Sequence, residues 1–293
     1  MQLSLAQVQP RQTTATLSRA YQQSQLILAD TAAVATSLDG AIAFTNTSRP
    51  SLPQANFAAQ FHVPTGCSAS RVVEQTLSHF STQGVRCLRV YLTDTLCESG
   101  ADTDDIQSDS HTGGPAQELS RELVCKGYRH IAEQSLHLLG RFHEPVRPPE
   151  RSADSLQFIP GRSAYAELSR LWSTAFLPSK IDARHACEHH IDTLDDARVE
   201  CFLARLRGQP AGVVKVITAN QVGVIDDLFV TLSLRRQGIA GQLLAHAVSF
   251  CVRSQLQSVV IASQTGSFEH AWLTRRGFTP VARLGHWRLS DDR

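Results

Sequence analysis

The chain has no apolar run long enough to cross a bilayer. It also has no signal-peptide layout at its start and no excess of either charge. Its 28 Lys and Arg against 27 Asp and Glu leave a net charge of +1 over 293 residues. These absences speak against a membrane protein and against a broad positive field for nucleic acid or an anionic surface. Cys-x-x-Cys is missing as well: seven cysteines, an odd count, stand apart at 67, 87, 97, 125, 187, 201 and 251. Most have apolar neighbours, the pattern of buried free thiols in a reduced, cytoplasmic protein. Neither Gly-x-Gly-x-x-Gly nor Gly-x-x-x-x-Gly-Lys-Ser/Thr occurs, which argues against a nucleotide-binding α/β domain. Residues 1–29 hold no acid; that resembles a transit peptide weakly, and a first strand followed by a helix accounts for it better.

What is present suits two domains, with 42% apolar residues to build their cores. In the first, 1–145, Leu3, Leu5 and Val8 predict a short strand. The Ala-, Gln- and Leu-rich stretch 11–38 reads as helical up to Asp39-Gly40, and strands follow at 41–44 and 56–61. Ser68 would cap a helix with Val72, Val73, Leu77 and Phe80 on one face, ending at Gly84. A strand is expected over 86–92. Between Cys97 and Pro115 come Glu98, Asp102, Asp104, Asp105 and Asp109 among Ser, Thr and Gly. They read as an exposed loop, with metal binding as the alternative. A helix from Gln117 to Lys126-Gly127 and a strand over 130–139 close the half. Pro145, Pro148 and Pro149 mark a linker at 141–154.

The second domain, 152–293, opens with a strand at 156–159 and helices at 165–176 and 182–194. His185 and His189 share the i, i+4 spacing of a zinc helix, but no third ligand accompanies them, and a structural or substrate-lining helix is the better reading. A hairpin joins 200–205 to 211–217 around Arg207-Gly208-Gln209-Pro210.

The most informative stretch is 222–263. Val222 to Val230 is apolar and β-branched, with Asp226 and Asp227 set inside it, and reads as a strand. Ile239, Ala240, Leu243, Leu244, Ala247, Val248 and Cys251 recur at helical spacing. Ser258 to Ser263 reads as a buried parallel strand. The loop into the helix is Arg235-Arg236-Gln237-Gly238-Ile239-Ala240-Gly241, and no acid occupies the helix's first turn. Free amides at that end, small residues and flanking arginines describe a phosphate site. Taken alone, the same residues also fit a tight turn with two solvated arginines.

Arg235-x-x-Gly238-x-Ala240, the strand ending Leu228-x-Val230 before it and Arg276-Gly277-Phe278 after a short helix together resemble the GNAT superfamily of N-acetyltransferases over residues 152–293. Leu123-Val-Cys-Lys-Gly-Tyr128 echoes Leu273-Thr-Arg-Arg-Gly-Phe278. The first half therefore resembles a degenerate second GNAT-like module, without the phosphate loop and with no expected acetyl-CoA site. The resemblance implies an α/β (α+β) fold, two similar domains with a mixed, largely antiparallel sheet flanked by helices. It implies acetyl-CoA as cosubstrate, its pyrophosphate on Arg235, Arg236, Gln237, Gly238, Ile239, Ala240 and Gly241, and its pantetheine arm along Leu228, Phe229 and Val230.

Direct acetyl transfer to an amine needs a base, since free amines are protonated at pH 7. Asp226 is the expected base because alternation sets it on the face of Leu228 and Val230, with Asp227, facing the other way, second; alternatively, one or both simply bind substrate charge or cap a bulge. The Val230 N–H would stabilise the thioester oxygen. Where many family members carry a tyrosine acid this chain has Leu273, which leaves His270 or water to protonate the thiolate. The acceptor is a small-molecule or peptide amine, with no nucleic acid or membrane partner. The alternative is a retired, CoA-binding sensor or interaction module.

Overall fold

The computed structural model describes residues 13–92, 114–139, 156–176 and 183–290. The strand expected over 1–9, the acidic loop after Cys97 and the linker over 141–154 lie outside these residues.

The first half runs α1 (Thr14–Asp30), β1 (Val34–Leu38), β2 (Ala41–Thr45), β3 (Phe57–Phe61), α2 (Ala69–Thr82), β4 (Arg89–Leu92), α3 (Pro115–Cys125) and β5 (Tyr128–Leu139). The second runs β6 (Leu156–Pro160), α4 (Tyr165–Phe176), α5 (Ala183–Asp192), β7 (Val199–Leu206), β8 (Gln209–Ala219), β9 (Val222–Val230), α6 (Ile239–Arg253), β10 (Ser258–Gln264), α7 (Phe268–Thr274) and β11 (Phe278–Leu289). Helix starts follow the local chemistry: the Ser68 and Ser267 hydroxyls accept from the Arg71 and His270 amides. The helix expected over 11–38 is shorter. It stops at Asp30, and 34–38 pair with β2 in a hairpin turned at Asp39-Gly40. That strand lies at the sheet's rim and is largely exposed, so Val34-Ala-Thr-Ser-Leu38 lacks the alternation that marks a strand.

All strands join one sheet of eleven, in the order β1-β2-β3-β4-β11-β5-β10-β9-β8-β7-β6. Pairing is antiparallel except at β3/β4 and β9/β10. Each parallel pair is bridged by a helix, α2 and α6 respectively, and each half ends in a helix and a long strand. The first half thus repeats the fold of the second.

The halves also exchange strands. β5, from the first, lies between β10 and β11; β11, from the second, lies between β4 and β5. The exchange carries residues of one half into the sheet of the other. Helix α1 crosses over too, packing on β8, β9 and β11. Its Leu17, Ala20 and Ile27 share a core with Trp172 of α4, Leu203 of β7 and Val213 of β8, on one face of the sheet. On the opposite face, Leu243, Leu244 and Ala247 of α6 cover Val214 of β8, Ile225 of β9 and Val259 of β10. Buried Cys187, Cys201 and Cys251 pack as free thiols in these two cores, and Cys87 in a further core of the first half with Val73, Phe80 and Val90.

Candidate active site

β9 and β10 pair from Val222/Ser258 to Ile225/Ile261 and no further. Beyond that point β10 continues on β5, with Gln264 opposite Gln134, while β9 continues on β8. A cleft of about 370 Å³ opens where they part, lined by Asp226, Leu228, Ala262, Ser263, Trp272 and Leu273 among others. On the β8 side the Thr231 amide bonds to the Ala211 carbonyl, and Phe229 lies opposite Val213. In an antiparallel ladder the residue between then turns both its backbone groups away from β8. The Val230 carbonyl accepts from Arg235 Nε at 3.2 Å, and its N–H points with it to the cleft side.

Past the end of β9, Gly238 caps α6 in the left-handed conformation (φ 81°), with no side-chain cap and no acid in the first turn. A residue with a Cβ would be strained there. Arg235, Arg236 and Gln237 are exposed, Ile239 is buried, and Ala240 packs half-buried on the α6 core. A Cβ on Gly241 would come within 3.0 Å of Arg276 Nη2. The Arg276 guanidinium also lies over the Trp272 ring, 4.0 Å from its centroid. Arg276 thus stands beside the α6 first turn as a further cation, a placement that its sequence position after α7 does not announce.

Asp226 and Asp227 do not face opposite ways. Lys215 lies opposite Asp226 and Val213 opposite Phe229, so two steps along β8 match three along β9. This is a β-bulge, with Asp227 at φ 50°. Simple alternation fails there, and both aspartates line the cleft.

Their surroundings divide them. Asp227 Oδ2 lies 2.8 Å from Lys215 Nζ and 2.5 Å from His190 Nδ1. Burial works against the Asp227 charge, but His190 and Lys215 outweigh it and hold the carboxyl well below the usual range. Burial also opposes the Lys215 charge, and Asp227 and Asp226 hold it above its ordinary value. Asp226 is pushed up to about 6 by burial and then by Asp227's charge, with Lys215 and His190 pulling the other way. Two adjacent carboxyls are therefore one fixed anion and one group that titrates near neutrality. His190 stacks on Trp172 with ring centroids 5.1 Å apart. His189 is buried, and burial pushes it down to about 3.

A second cavity, of about 520 Å³, opens between the halves. Its walls come from α1 (Tyr21, Gln25), β3 and β4 (Phe57, Arg89, Tyr91) and the second half (Lys215, Asp226, Asp227, His286). Tyr21, Gln134, Asp226 and Asp227 line both cavities, which meet at these residues. Burial, then Asp226, holds the Tyr21 hydroxyl above its ordinary value. Tyr21 belongs to a helix far away in sequence, and no local pattern marks it. His270 is not among the residues lining the cleft: its ring meets His137 edge-on at 4.7 Å. Leu273 lines the cleft at the position noted as lacking a tyrosine.

The family model described as acetyltransferase (GNAT) matches residues 164–278. A functionally unknown conserved protein from Staphylococcus epidermidis ATCC 12228 is similar in structure. It has 14% identity and a TM-score of 0.60, over 87% of this chain and 93% of that one. A GCN5-related N-acetyltransferase from Kribbella flavida has 14% identity and a TM-score of 0.58, over 94% of this chain and 95% of that one. A tandem GNAT protein from the clavulanic acid biosynthesis pathway has 15% identity and a TM-score of 0.51, over 76% and 69%. At such identities the likeness is one of fold, and it extends over both halves. No curated protein matches the chain in sequence.

Proposed function

From the match of residues 164–278 to the acetyltransferase (GNAT) family model we propose that the protein transfers an acetyl group from acetyl-CoA directly to an amine at Asp226. The observation that carries this reading is the meeting of two cavities at Asp226, one where β9 and β10 part and one between the halves. The donor enters by the first and the acceptor by the second. The residues fit the donor. The uncapped first turn of α6 with Gly238, flanked by Arg235, Arg236 and Arg276, holds the pyrophosphate. The free edge of Leu228 to Val230 pairs with the pantetheine amides. Bound there, acetyl-CoA supplies the activated acyl group and the leaving thiolate.

The chain's own groups do the rest. Asp226 takes the proton from the acceptor ammonium; with its carboxyl near about 6 it is mostly ionised at pH 7 and still basic enough to accept. Asp227, locked to Lys215 and His190, holds the charge that keeps Asp226 raised. The Val230 N–H donates to the acyl oxygen as charge grows on it. Tyr21, rather than His270, presents a hydroxyl at the junction: it passes its proton to the thiolate and takes up the second proton that the nitrogen sheds as the amide forms, so that no tyrosinate accumulates against its raised pKa. Tyr21→Phe should lower kcat by about tenfold, below the usual range of about 10²–10⁴-fold for a general acid because a thiolate leaves readily, with acetyl-CoA affinity unchanged by calorimetry.

The binding test is a titration of the full-length protein with acetyl-CoA beside an Arg235→Ala/Gly238→Asp variant. We expect one site, weakened about 10²-fold in the variant by lost phosphate contacts and a strained left-handed Asp. A second site would place donor binding in the first half as well. Absence of binding would end the transferase reading. Binding without turnover of any amine would leave a CoA-binding module.

A further inference from the structure

We propose that the acceptor is an amino acid: its carboxylate sits on Arg89 of the first half, and its amine faces Asp226 of the second. The proposal rests on the reading above that the cavity between the halves is the acceptor side.

Charges along the cavity wall sort into pairs with a remainder. Lys215 and His190 both sit on the Asp227 carboxylate, at 2.8 and 2.5 Å. His189 is held neutral by burial. His286 is pushed down to about 4 by burial and then by Arg89, so it too is neutral at pH 7. Arg19 lies on the exposed side of α1. What remains is one cation, Arg89 on β4, and one carboxylate, Asp226 on β9. Tyr21 feels both, since Asp226 raises its hydroxyl and Arg89 lowers it.

Arg89 is also incompletely satisfied. Its Nε is buried and has no hydrogen-bond partner, and Arg89 makes no ion pair among the described residues. A buried guanidinium N–H without an acceptor carries a desolvation cost that a bound oxyanion removes. The planar fork of arginine matches two carboxylate oxygens. The cavity is thus dipolar, cationic on one half and anionic on the other, the complement of a molecule with an ammonium and a carboxylate. Between the poles, Phe57 and Tyr91 meet edge-on at 5.5 Å, and Leu26 and Leu284 complete an apolar wall. An apolar side chain of the acceptor would rest there. The volume of about 520 Å³ is that of a small-molecule site.

The test uses full-length protein with acetyl-CoA and measures thiol release. Acceptors are the standard amino acids, their carboxamides and their decarboxylated amines, and proteins are wild type, Arg89→Gln and Arg89→Lys. Acetyl-CoA titration calorimetry on each variant reports on folding and on the donor site. The expected result is an amino acid with kcat/KM about 10²-fold above its carboxamide and amine, the worth of a charge-assisted pair at a buried site. Arg89→Gln should erase that gap by slowing the acid alone, and Arg89→Lys should keep part of it. Equal rates for the uncharged counterparts would overturn the proposal, as would Arg89→Gln slowing acid and amide alike. Acetyl-CoA binding with no amino acid acetylated would overturn it while leaving the transferase reading in place. Failure to bind acetyl-CoA would remove both.

Discussion

Asp226→Asn is expected to lower kcat/KM by about 10²–10⁴-fold, the worth of a positioned general base, while leaving acetyl-CoA affinity within about twofold of wild type because the phosphate contacts stay in place. The substitution keeps shape and removes only the ability to take a proton. The wild-type profile should show the same group. A carboxyl near about 6 is protonated below that pH and useless as a base. Activity should therefore rise with unit slope up to about pH 6 and level above it, and pH 5 should lie about tenfold below the plateau. Asp227 sets where that limb falls. Its charge is the largest influence after burial that raises Asp226, and Asp227→Asn removes it and frees Lys215 and His190 to attract the Asp226 anion. Both changes lower the Asp226 pKa, so the acid limb should move to lower pH. An Asp226→Asn enzyme with near-normal turnover, or a limb that ignores Asp227→Asn, would place the base elsewhere.

Much of this site was legible because it is local. The span from Val222 to Ser263 contains strand, loop, helix and strand in continuous sequence, and periodicity with a first turn free of acids places each piece. Gly238 in the left-handed region and the Ser267 cap are likewise matters of a few neighbouring residues. The echo of Leu123–Tyr128 in Leu273–Phe278 carried the repeat, since a helix end, a glycine and an aromatic strand start recur together.

Long-range features were not legible. β5 reads as a strand, but alternation says nothing about the partner, and the exchange that puts β5 between β10 and β11 is decided by how the halves close on each other. Tyr21 and Arg89 reach the site through that closure. The bulge at Asp227 stood only as an alternative in the sequence, for another reason: one extra residue in a strand leaves the composition unchanged and reverses every orientation after it. Aspartate tolerates the left-handed conformation the bulge needs, and the same residue then faces Lys215 and His190.

That buried cluster should also dominate stability. Lys215 is 1% exposed, with its ammonium on Asp227 and Thr193. Lys215→Ala leaves the Asp227 charge with a diminished partner set and should cost about 3–5 kcal/mol at pH 7 in urea unfolding. The loss should depend on pH, with a sign fixed by the two carboxyls. Asp227 is depressed in the folded protein, so the stability it contributes is present above the ordinary carboxylate range and is lost as pH falls below it. Asp226 is raised, so the folded state favours its protonated form; that contribution is complete at acid pH and is lost as pH climbs to about 6. Lys215 is what eases the second ionisation, and without it Asp226 rises further. The deficit of Lys215→Ala should therefore be smaller near pH 4.5, where Asp226 is neutral, and grow until both carboxyls are charged. Removing the charge with its partner, Lys215→Met with Asp227→Asn, which suits the left-handed backbone there, should recover much of the loss, because the single variant suffers from the stranded charge more than from the missing pair. A deficit under about 1 kcal/mol, the range of an exposed ion pair, or one unchanged between pH 4.5 and 7, would mean that water reaches the cluster and that the low-dielectric environment raising Asp226 does not exist.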